Sequence, residues 1–173
     1  MPRRATIAAA LAVLTVLATL TGCSRRETMS LAVFTPDGTP HLIVVPCPGQ
    51  DLIGLGIETA DSYSAYALAG SAVWEAHDKT DPDPEPLAHN TVIPLLHTPP
   101  GWTLEPGSAT TLDPGTRYVA KGYGGLVTHP VGFTLDALFG LPSGQVITND
   151  DHDPGSSTTM ALDEFHARAA TSC

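Results

Sequence analysis

The chain has 173 residues, with eight Lys and Arg against eighteen Asp and Glu and a formal net charge of −10. This length supports one well-buried hydrophobic core and is short for two. Nucleic-acid binding requires a basic surface that attracts phosphates, so the acidic composition argues against a nucleic-acid partner.

The first twenty-two residues have the pattern of a cleavable export signal. Arg3 and Arg4 precede an uncharged apolar run from 5 to 20. A run of about sixteen residues is short for a membrane-spanning helix, which needs roughly twenty. The run ends in Leu20-Thr21-Gly22-Cys23, which resembles the lipobox of bacterial lipoproteins.

The lipobox resemblance implies that the thiol of Cys23 receives a diacylglyceryl group and that a peptidase cuts just before this residue. We therefore expect a signal peptide at 1–22, a lipidated tether at 23–30 and a single domain at 31–173. This domain would be held by lipid at the extracytoplasmic face of the cell membrane, because a multiply acylated terminus anchors stably. The alternative is an ordinary secretory signal with an accidental cysteine, and the export route stays open.

Composition adds two further expectations. The scarcity of Lys beside abundant Ala, Gly, Pro, Thr and Asp is typical of proteins of high-GC bacteria, so the lipobox resemblance implies a small lipoprotein from such a source. Removal of the signal leaves six basic against eighteen acidic residues, a net charge of −12. With Cys23 committed to lipid in an oxidising compartment, Cys47 and Cys173 are predicted to form a disulfide. The alternatives are two buried free thiols, or Cys173 paired with another molecule.

Sixteen Gly and sixteen Pro divide the rest of the chain into short segments, most of which alternate apolar and polar residues as strands do. The first two predicted strands, 31–35 and 41–47, flank a turn at 35–38 that contains Pro-Asp-Gly. In the third, at 53–58, large apolar residues alternate with Gly54 and Gly56, which predicts a glycine-rich outer side. The residues predicted to face inward there are Ile53, Leu55 and Ile57.

The middle of the chain mixes strands with a loop. Two short strands are predicted within 64–77, because Ala72, Trp74 and Ala76 alternate with polar or smaller neighbours. The segment 78–86 is predicted to be an exposed loop, since proline at every second position of its second half removes the backbone donors that a sheet requires.

The second half continues the strand pattern and then changes period. Its predicted strands are 92–96, 102–104, 116–123, 131–135 and 145–148. Apolar residues then recur on one helical face, after several N-cap candidates within 156–159. That face comprises Ala161, Leu162, Phe165 and Ala169. The pattern predicts a C-terminal helix that is docked by Phe165 and pinned through Cys173.

One local motif sharpens the expected fold. Leu112-Asp-Pro-Gly-Thr-Arg-Tyr118 resembles the Leu-x-Pro-Gly-Thr-x-Tyr signature of fibronectin type III domains. The resemblance implies an immunoglobulin-like sandwich in which the hydroxyl of Tyr118 caps the turn before a strand. The chain departs from that family by lacking an early-strand tryptophan and by adding a short C-terminal helix. The alternative is a Pro-Gly turn in another β fold.

Two acidic segments are the candidate metal sites. Calcium prefers oxygen ligands in loops, and such ligands occur in the proline-rich loop and again after Asn149. The candidate residues are Asp81, Asp83, Glu85, Asp150, Asp151 and Asp153. The spacing of an EF-hand is absent, and the seven histidines form no paired ligand motif, so zinc or copper would require convergence in the fold.

No motif for nucleophilic catalysis or phosphate binding is present, so we expect a non-enzymatic domain without a cofactor. The glycine-rich segment 121–125 is predicted to be a mobile turn. Four aromatic residues are candidates for a carbohydrate or peptide platform, with core packing as the simpler explanation. They are Tyr63, Tyr66, Trp102 and Tyr123.

The sequence therefore favours a lipid-anchored extracytoplasmic domain that binds an envelope protein or glycan. The competing hypothesis is a calcium- or transition-metal-binding envelope lipoprotein. A third, an envelope hydrolase, requires that His and carboxylate side chains converge near a Ser or Thr.

Overall fold

The computed structural model describes residues 29–50, 52–60, 70–78, 87, 90–124, 128–153 and 156–173. The lipobox, the predicted proline-rich loop after residue 78 and the first of the two strands predicted within 64–77 lie outside these ranges. Within them, no helix is both long enough and apolar enough to cross a membrane.

The described chain is mainly β, with two helices. Its strands are β1 (Ser30–Phe34), β2 (His41–Val45), β3 (Leu52–Thr59), β4 (Ala72–Asp78), β5 (Thr91–Pro94), β6 (Trp102–Leu104), β7 (Arg117–Gly124), β8 (Val131–Thr134), β9 (Gln145–Asn149) and β10 (Ser157–Ala161). Its α-helices are α1 (Leu135–Phe139) and α2 (Leu162–Ser172).

The strands form two antiparallel five-stranded sheets that pack into a sandwich. Sheet A has the order β10-β9-β1-β2-β5, and sheet B has the order β6-β4-β3-β7-β8. Strand β5 lies at the edge of sheet A, where Pro94 can be accommodated although it has no backbone N–H to donate. Strands β9 and β10 return to sheet A after β8, so sheet A combines residues from both ends of the described chain.

The main core lies between the two sheets. Leu31 and Val33 of β1 face Leu55 and Ile57 of β3, and all four are fully buried. Trp74 of β4 joins them, as its place in the predicted alternation requires. Each such side chain contributes about 1.5 to 3 kcal/mol through removal of apolar surface from water.

A second core lies on the other side of sheet A. Ala32, Ile43 and Val146 alternate with the residues of the main core and pack against Phe165 and Ala169 of α2. Because these strands are buried on both faces, β1 and β2 read as nearly unbroken apolar runs.

The predicted disulfide is present. Cys47, just after β2, is bonded to Cys173, just after α2, and their Cα atoms are 5.3 Å apart. The bridge spans 126 residues and fixes the end of α2 against sheet A. The predicted docking of this helix through Phe165 is confirmed as well, since Phe165 is fully buried.

Tyr118 caps the turn that precedes β7, as the motif at 112–118 implied. Its ring is buried, and its hydroxyl accepts a hydrogen bond from the backbone N–H of Asp113 at 2.8 Å. The hydroxyl lies 3.4 Å from the carbonyl oxygen of the same residue, to which it donates. Both backbone groups of Asp113 are therefore held by one side chain.

Four local predictions are wrong. Ile53 is 46% exposed and Leu52 is buried in its place, because a register shift between Leu52 and Gly54 turns the strand. The segment 156–159 does not cap the helix: residues 157–161 form β10, and α2 begins at Leu162 without a side-chain cap.

The other two differences concern strand ends. The predicted strand 131–135 stops at Thr134, whose hydroxyl accepts from the N–H of Ala137 and so starts α1. The segment predicted as a mobile turn at 121–125 is instead part of β7 as far as Gly124. At the start of the domain, Met29 and Ser30, assigned to the tether, are buried, and β1 already includes Ser30.

Candidate functional site

The outer face of sheet B carries the most concentrated set of interacting ionisable and aromatic side chains in the described structure. We call it the B face: Gly54, Gly56, Glu58, Glu75, His77, Lys121 and Tyr123, with Glu105 from the turn after β6. Neither described helix packs on this face, since α2 contacts sheet A and α1 contacts β8.

Two glycines of β3 make room for the ring of Tyr123. A Cβ atom at Gly54 would lie 3.0 Å from a ring carbon of Tyr123 and 3.0 Å from Nδ1 of His77. A Cβ atom at Gly56 would lie 2.8 Å from the Tyr123 hydroxyl. Glycine within a strand often marks such a close approach. The ring of Tyr123 therefore lies directly on the backbone of β3. The two glycines allow this contact because they have no side chains that would occupy the same space.

Lys121 joins Tyr123 to an ion pair. Its ammonium group binds the carboxylate of Glu58 and lies 4.9 Å from the centroid of the Tyr123 ring. Burial alone would lower the pKa of Lys121, but hydrogen bonds and charge interactions with Glu58 and Tyr123 outweigh it and raise this pKa. Burial raises the pKa of Tyr123, against the opposing effect of Lys121. At neutral pH the lysine is charged and the phenol is neutral.

His77 is flanked by two carboxylates. Its Nε2 atom lies 3.6 Å from Oε1 of Glu75 and 3.7 Å from Oε1 of Glu105. Its ring centroid is 6.5 Å from that of Tyr123, so the two rings form a continuous aromatic surface. Counting the imidazole as neutral, the three glutamates and one lysine of the B face carry a net charge of −2.

This arrangement suits recognition of a cation better than hydrolysis. The carboxylates of Glu75 and Glu105 can accept hydrogen bonds from ammonium or guanidinium groups, whereas Glu58 and the ring of Tyr123 already interact with Lys121. Thr103 is the register partner of His77, yet among the described residues no hydrogen bond joins its hydroxyl to that imidazole. The contact between nucleophile and base that the hydrolase hypothesis needs is not formed here.

The second acidic segment has structural partners. Asp150 accepts a hydrogen bond from the N–H of His152 at 2.9 Å. Asp151 accepts from Asn149 at 3.0 Å and lies 3.4 Å from the guanidinium of Arg168 on α2. These contacts order the turn between β9 and β10 and attach α2 to it, while Asp153 accepts the N–H of Ser156 through its backbone carbonyl.

No group of three or more His, Cys, Asp or Glu side chains that could hold a metal ion occurs among the residues the structure describes. The candidates Asp81, Asp83 and Glu85 lie outside those residues, so the calcium hypothesis for the proline-rich loop stays a prediction.

The aromatic candidates separate into different environments. Trp102 is partly buried against the main core, whereas Tyr123 lies on the B face. Tyr63 and Tyr66 lie outside the described residues. Sequence reasoning missed the glutamates and the histidine around Tyr123, although the glycine-rich outer side of β3 was a signal that a large side chain would lie across it.

Comparison with protein-family models, with curated proteins and with solved structures finds no match to this chain. The function is therefore inferred from the geometry of the site.

Proposed function

We propose that this chain is a lipid-anchored extracytoplasmic binding domain whose B face binds a positively charged segment of an envelope protein. The observation that carries the proposal is the grouping of three carboxylates around Tyr123 and His77 on a sheet face that neither described helix covers. The domain catalyses no reaction in this proposal, and it needs no cofactor.

Charge supports a basic partner. The B face has a net charge of −2, and the chain without its predicted signal has a net charge of −12. A field of this sign attracts basic segments and raises their rate of association. The same field repels phosphate-rich polymers, which is why a nucleic acid is not proposed.

We also propose that the sandwich is of the immunoglobulin-like, fibronectin type III kind. The strands β1, β2 and β5 would correspond to A, B and E, and β4, β3, β7 and β8 to C′, C, F and G. The hydrogen bond from Asp113 to Tyr118 at the start of β7 supports this, because a tyrosine corner precedes strand F. Strands β6, β9 and β10 and helix α2 would be additions to that plan.

The lipid anchor would hold the B face close to the membrane. Since Met29 is already buried, the tether from Cys23 to residue 28 spans at most about 20 Å when extended. Ser30 pairs with Val45 next to the disulfide, so that end of the sandwich would face the lipid. The strands of sheet B would then rise from the membrane and present the B face sideways, toward neighbouring envelope proteins.

A site-specific photocrosslinker in intact cells tests the binding face. Placed at residue 103, beside His77, it should give an adduct with a protein; placed at residue 167 on the exposed side of α2, it should not. Changing Glu75→Gln together with Glu105→Gln should reduce the adduct at least tenfold, because two charged contacts are lost. The matched control, Asp163→Asn with Glu164→Gln on α2, removes the same charge and should leave the yield unchanged.

Equal adducts at both positions, or an adduct that survives loss of both glutamates, would contradict the proposed face. Adducts with glycan in place of protein would overturn the choice of partner.

The anchor has its own test. Cys23→Ser should move the protein from the membrane fraction to the soluble fraction, whereas the double variant Cys47→Ser with Cys173→Ser should stay at the membrane. Unchanged membrane retention of the Cys23→Ser variant would refute lipid anchoring and would leave the B face proposal intact.

A further inference from the structure

A cavity lies at the seam between the two sheets. It is an open cavity of about 600 Å³ between β8, at the edge of sheet B, and β10, at the edge of sheet A. Phe133 and Ile147 form an apolar floor, and both are buried. None of its lining residues belongs to the B face, and its volume lies within the range of small-molecule sites.

Arg117 supplies the cationic group at this cavity. Its side chain is exposed, and among the described residues it forms no ion pair or hydrogen bond. Lys121 and Arg168, by contrast, are each paired with a carboxylate. A guanidinium offers five N–H donors in a planar fork that matches carboxylate and phosphate oxygens. In a chain of such strong negative charge, an arginine at a cavity that pairs with no described carboxylate favours the binding of an anion there.

Hydroxyl groups at the cavity add further donors. The Ser157 oxygen accepts a hydrogen bond from the N–H of Gly132 at 2.8 Å, and the Thr134 oxygen accepts from the N–H of Ala137 at 3.1 Å. Because both oxygens serve as acceptors within the fold, their O–H protons are oriented away from these bonds and are available to a ligand. Thr159 adds a third hydroxyl to the lining.

We propose that this cavity binds a small hydroxylated organic anion, such as a sugar acid or a sugar phosphate. Arg117 would bind the carboxylate or phosphate oxygens, the hydroxyls of Thr134, Ser157 and Thr159 would bind the ligand's hydroxyls, and the carbon skeleton would lie against Phe133 and Ile147. The site is separate from the B face, so its occupancy does not depend on the protein partner proposed above.

Calorimetric titration of the mature, lipidated protein in detergent tests this site with three probes. Glucuronate carries a carboxylate, glucose 6-phosphate carries a phosphate, and glucose carries neither. Saturable binding of at least one of the two anions, at least tenfold tighter than glucose, is the expected result. Which of them binds more tightly identifies the oxyanion that the site prefers.

Variants locate the binding. Arg117→Gln should weaken binding of the anion at least tenfold, since a charge-assisted bidentate contact is lost. Ala167→Glu on the exposed side of α2 makes the same change in net charge and should alter the affinity less than twofold. An unchanged urea midpoint for Arg117→Gln verifies that the variant is folded. No saturable binding of either anion up to about 10 mM, equal binding of glucose, or full binding by Arg117→Gln would overturn the proposal.

Discussion

Sheet A is covered on both faces, by sheet B on one side and by α2 on the other, whereas neither of the two α-helices in the described part of the chain packs on the outer face of sheet B. The difference is visible in composition. The central strands of sheet A are almost entirely apolar, while β3, β4 and β7 place glycine, glutamate, histidine, lysine and tyrosine on their outer sides.

The two sheets differ in what their polar and buried groups contribute: those of sheet A stabilise the fold, and those of sheet B form the candidate binding face. The disulfide, the packing of α2 through Phe165 and the ion pair of Arg168 all stabilise sheet A. On sheet B, the two carboxylates beside His77 are partly exposed, and polar contacts between such groups contribute little to folding, whereas the ion pair of Lys121 with Glu58 is mostly buried. Matched substitutions in the two sheets should therefore have very different effects on stability.

The largest effect is expected from Phe165→Ala. This side chain is fully buried between α2 and sheet A, so its removal should lower the free energy of unfolding by about 3 to 5 kcal/mol. Phe139→Ala, the same substitution at a residue that is 56% exposed, should change it by less than about 0.5 kcal/mol. Urea denaturation followed by circular dichroism measures both. Equal losses would mean that α2 contributes no more to the fold than a surface residue.

Loss of the disulfide should be of similar or slightly smaller size. Cys47→Ser combined with Cys173→Ser should destabilise the fold by about 2 to 5 kcal/mol, because the bridge closes a long loop in the unfolded chain. A reducing agent should lower the urea midpoint of the wild-type protein to that of the variant and should not affect the variant itself. A wild-type midpoint that resists complete reduction, verified by thiol labelling, would contradict this expectation.

Two tyrosines of β7 allow a finer comparison. Tyr118→Phe leaves the N–H of Asp113 without its acceptor and should cost about 1 to 2 kcal/mol. Tyr123→Phe removes the same hydroxyl from the outer side of the same strand, where it interacts with the side chain of Lys121, and should cost less, about 0.5 to 1 kcal/mol. Denaturant titrations measure the loss in free energy of unfolding for each variant. A larger loss for Tyr123→Phe than for Tyr118→Phe would contradict the prediction.

The smallest expected effect is a dependence on alkaline pH. The pKa of Lys121 is raised in the folded state, so its stabilising contribution is complete below about pH 10 and is lost as the pH rises through the folded-state pKa. The raised pKa of Tyr123 acts in the same direction, because the unfolded state ionises first. Stability should therefore fall above about pH 10, and less steeply in Lys121→Met.

Urea titrations at a series of alkaline pH values measure this slope. Lys79→Met is the matched control, because it is the same substitution at the other lysine of the chain. Its slope shows how much of the change in pH dependence follows from the loss of any lysine. Identical slopes for Lys121→Met and the wild-type protein would mean that the Glu58 pair is not coupled to folding.

Much of this fold follows from local sequence. Alternation located most strands, and the predicted pairing of Cys47 with Cys173 followed from assigning Cys23 to lipid. A register shift is not visible in the alternation of apolar and polar residues. Alternation therefore predicts that Ile53 faces the core, whereas the structure buries Leu52 in its place. Helix α1 is too short to show a helical period, and serine and threonine at 156–159 suit both an N-cap and a strand.

The B face was harder to predict, because its members come from four separate parts of the chain. Glu58, Glu75 and Lys121 become neighbours only through the register of β3 with β4 and β7, and Glu105 joins them through the pairing of β4 with β6. The two glycines opposite Tyr123 were the signal available in the sequence. A strand with glycine at alternate positions leaves space on that side for a large side chain.

The pairing of β1 with β9 has a consequence for synthesis. Thr148 donates its hydroxyl to the carbonyl of Leu31, which is 117 residues earlier in the chain. At about 5 to 20 residues per second, roughly 6 to 23 s separate the synthesis of these two partners. During that interval β1 can pair with β2 on one side only. Its other edge, five mostly apolar residues long, has unpaired backbone groups to which a strand of another chain can bind. A chain that folds during its synthesis would therefore leave that edge of β1 unpaired until its last third is made.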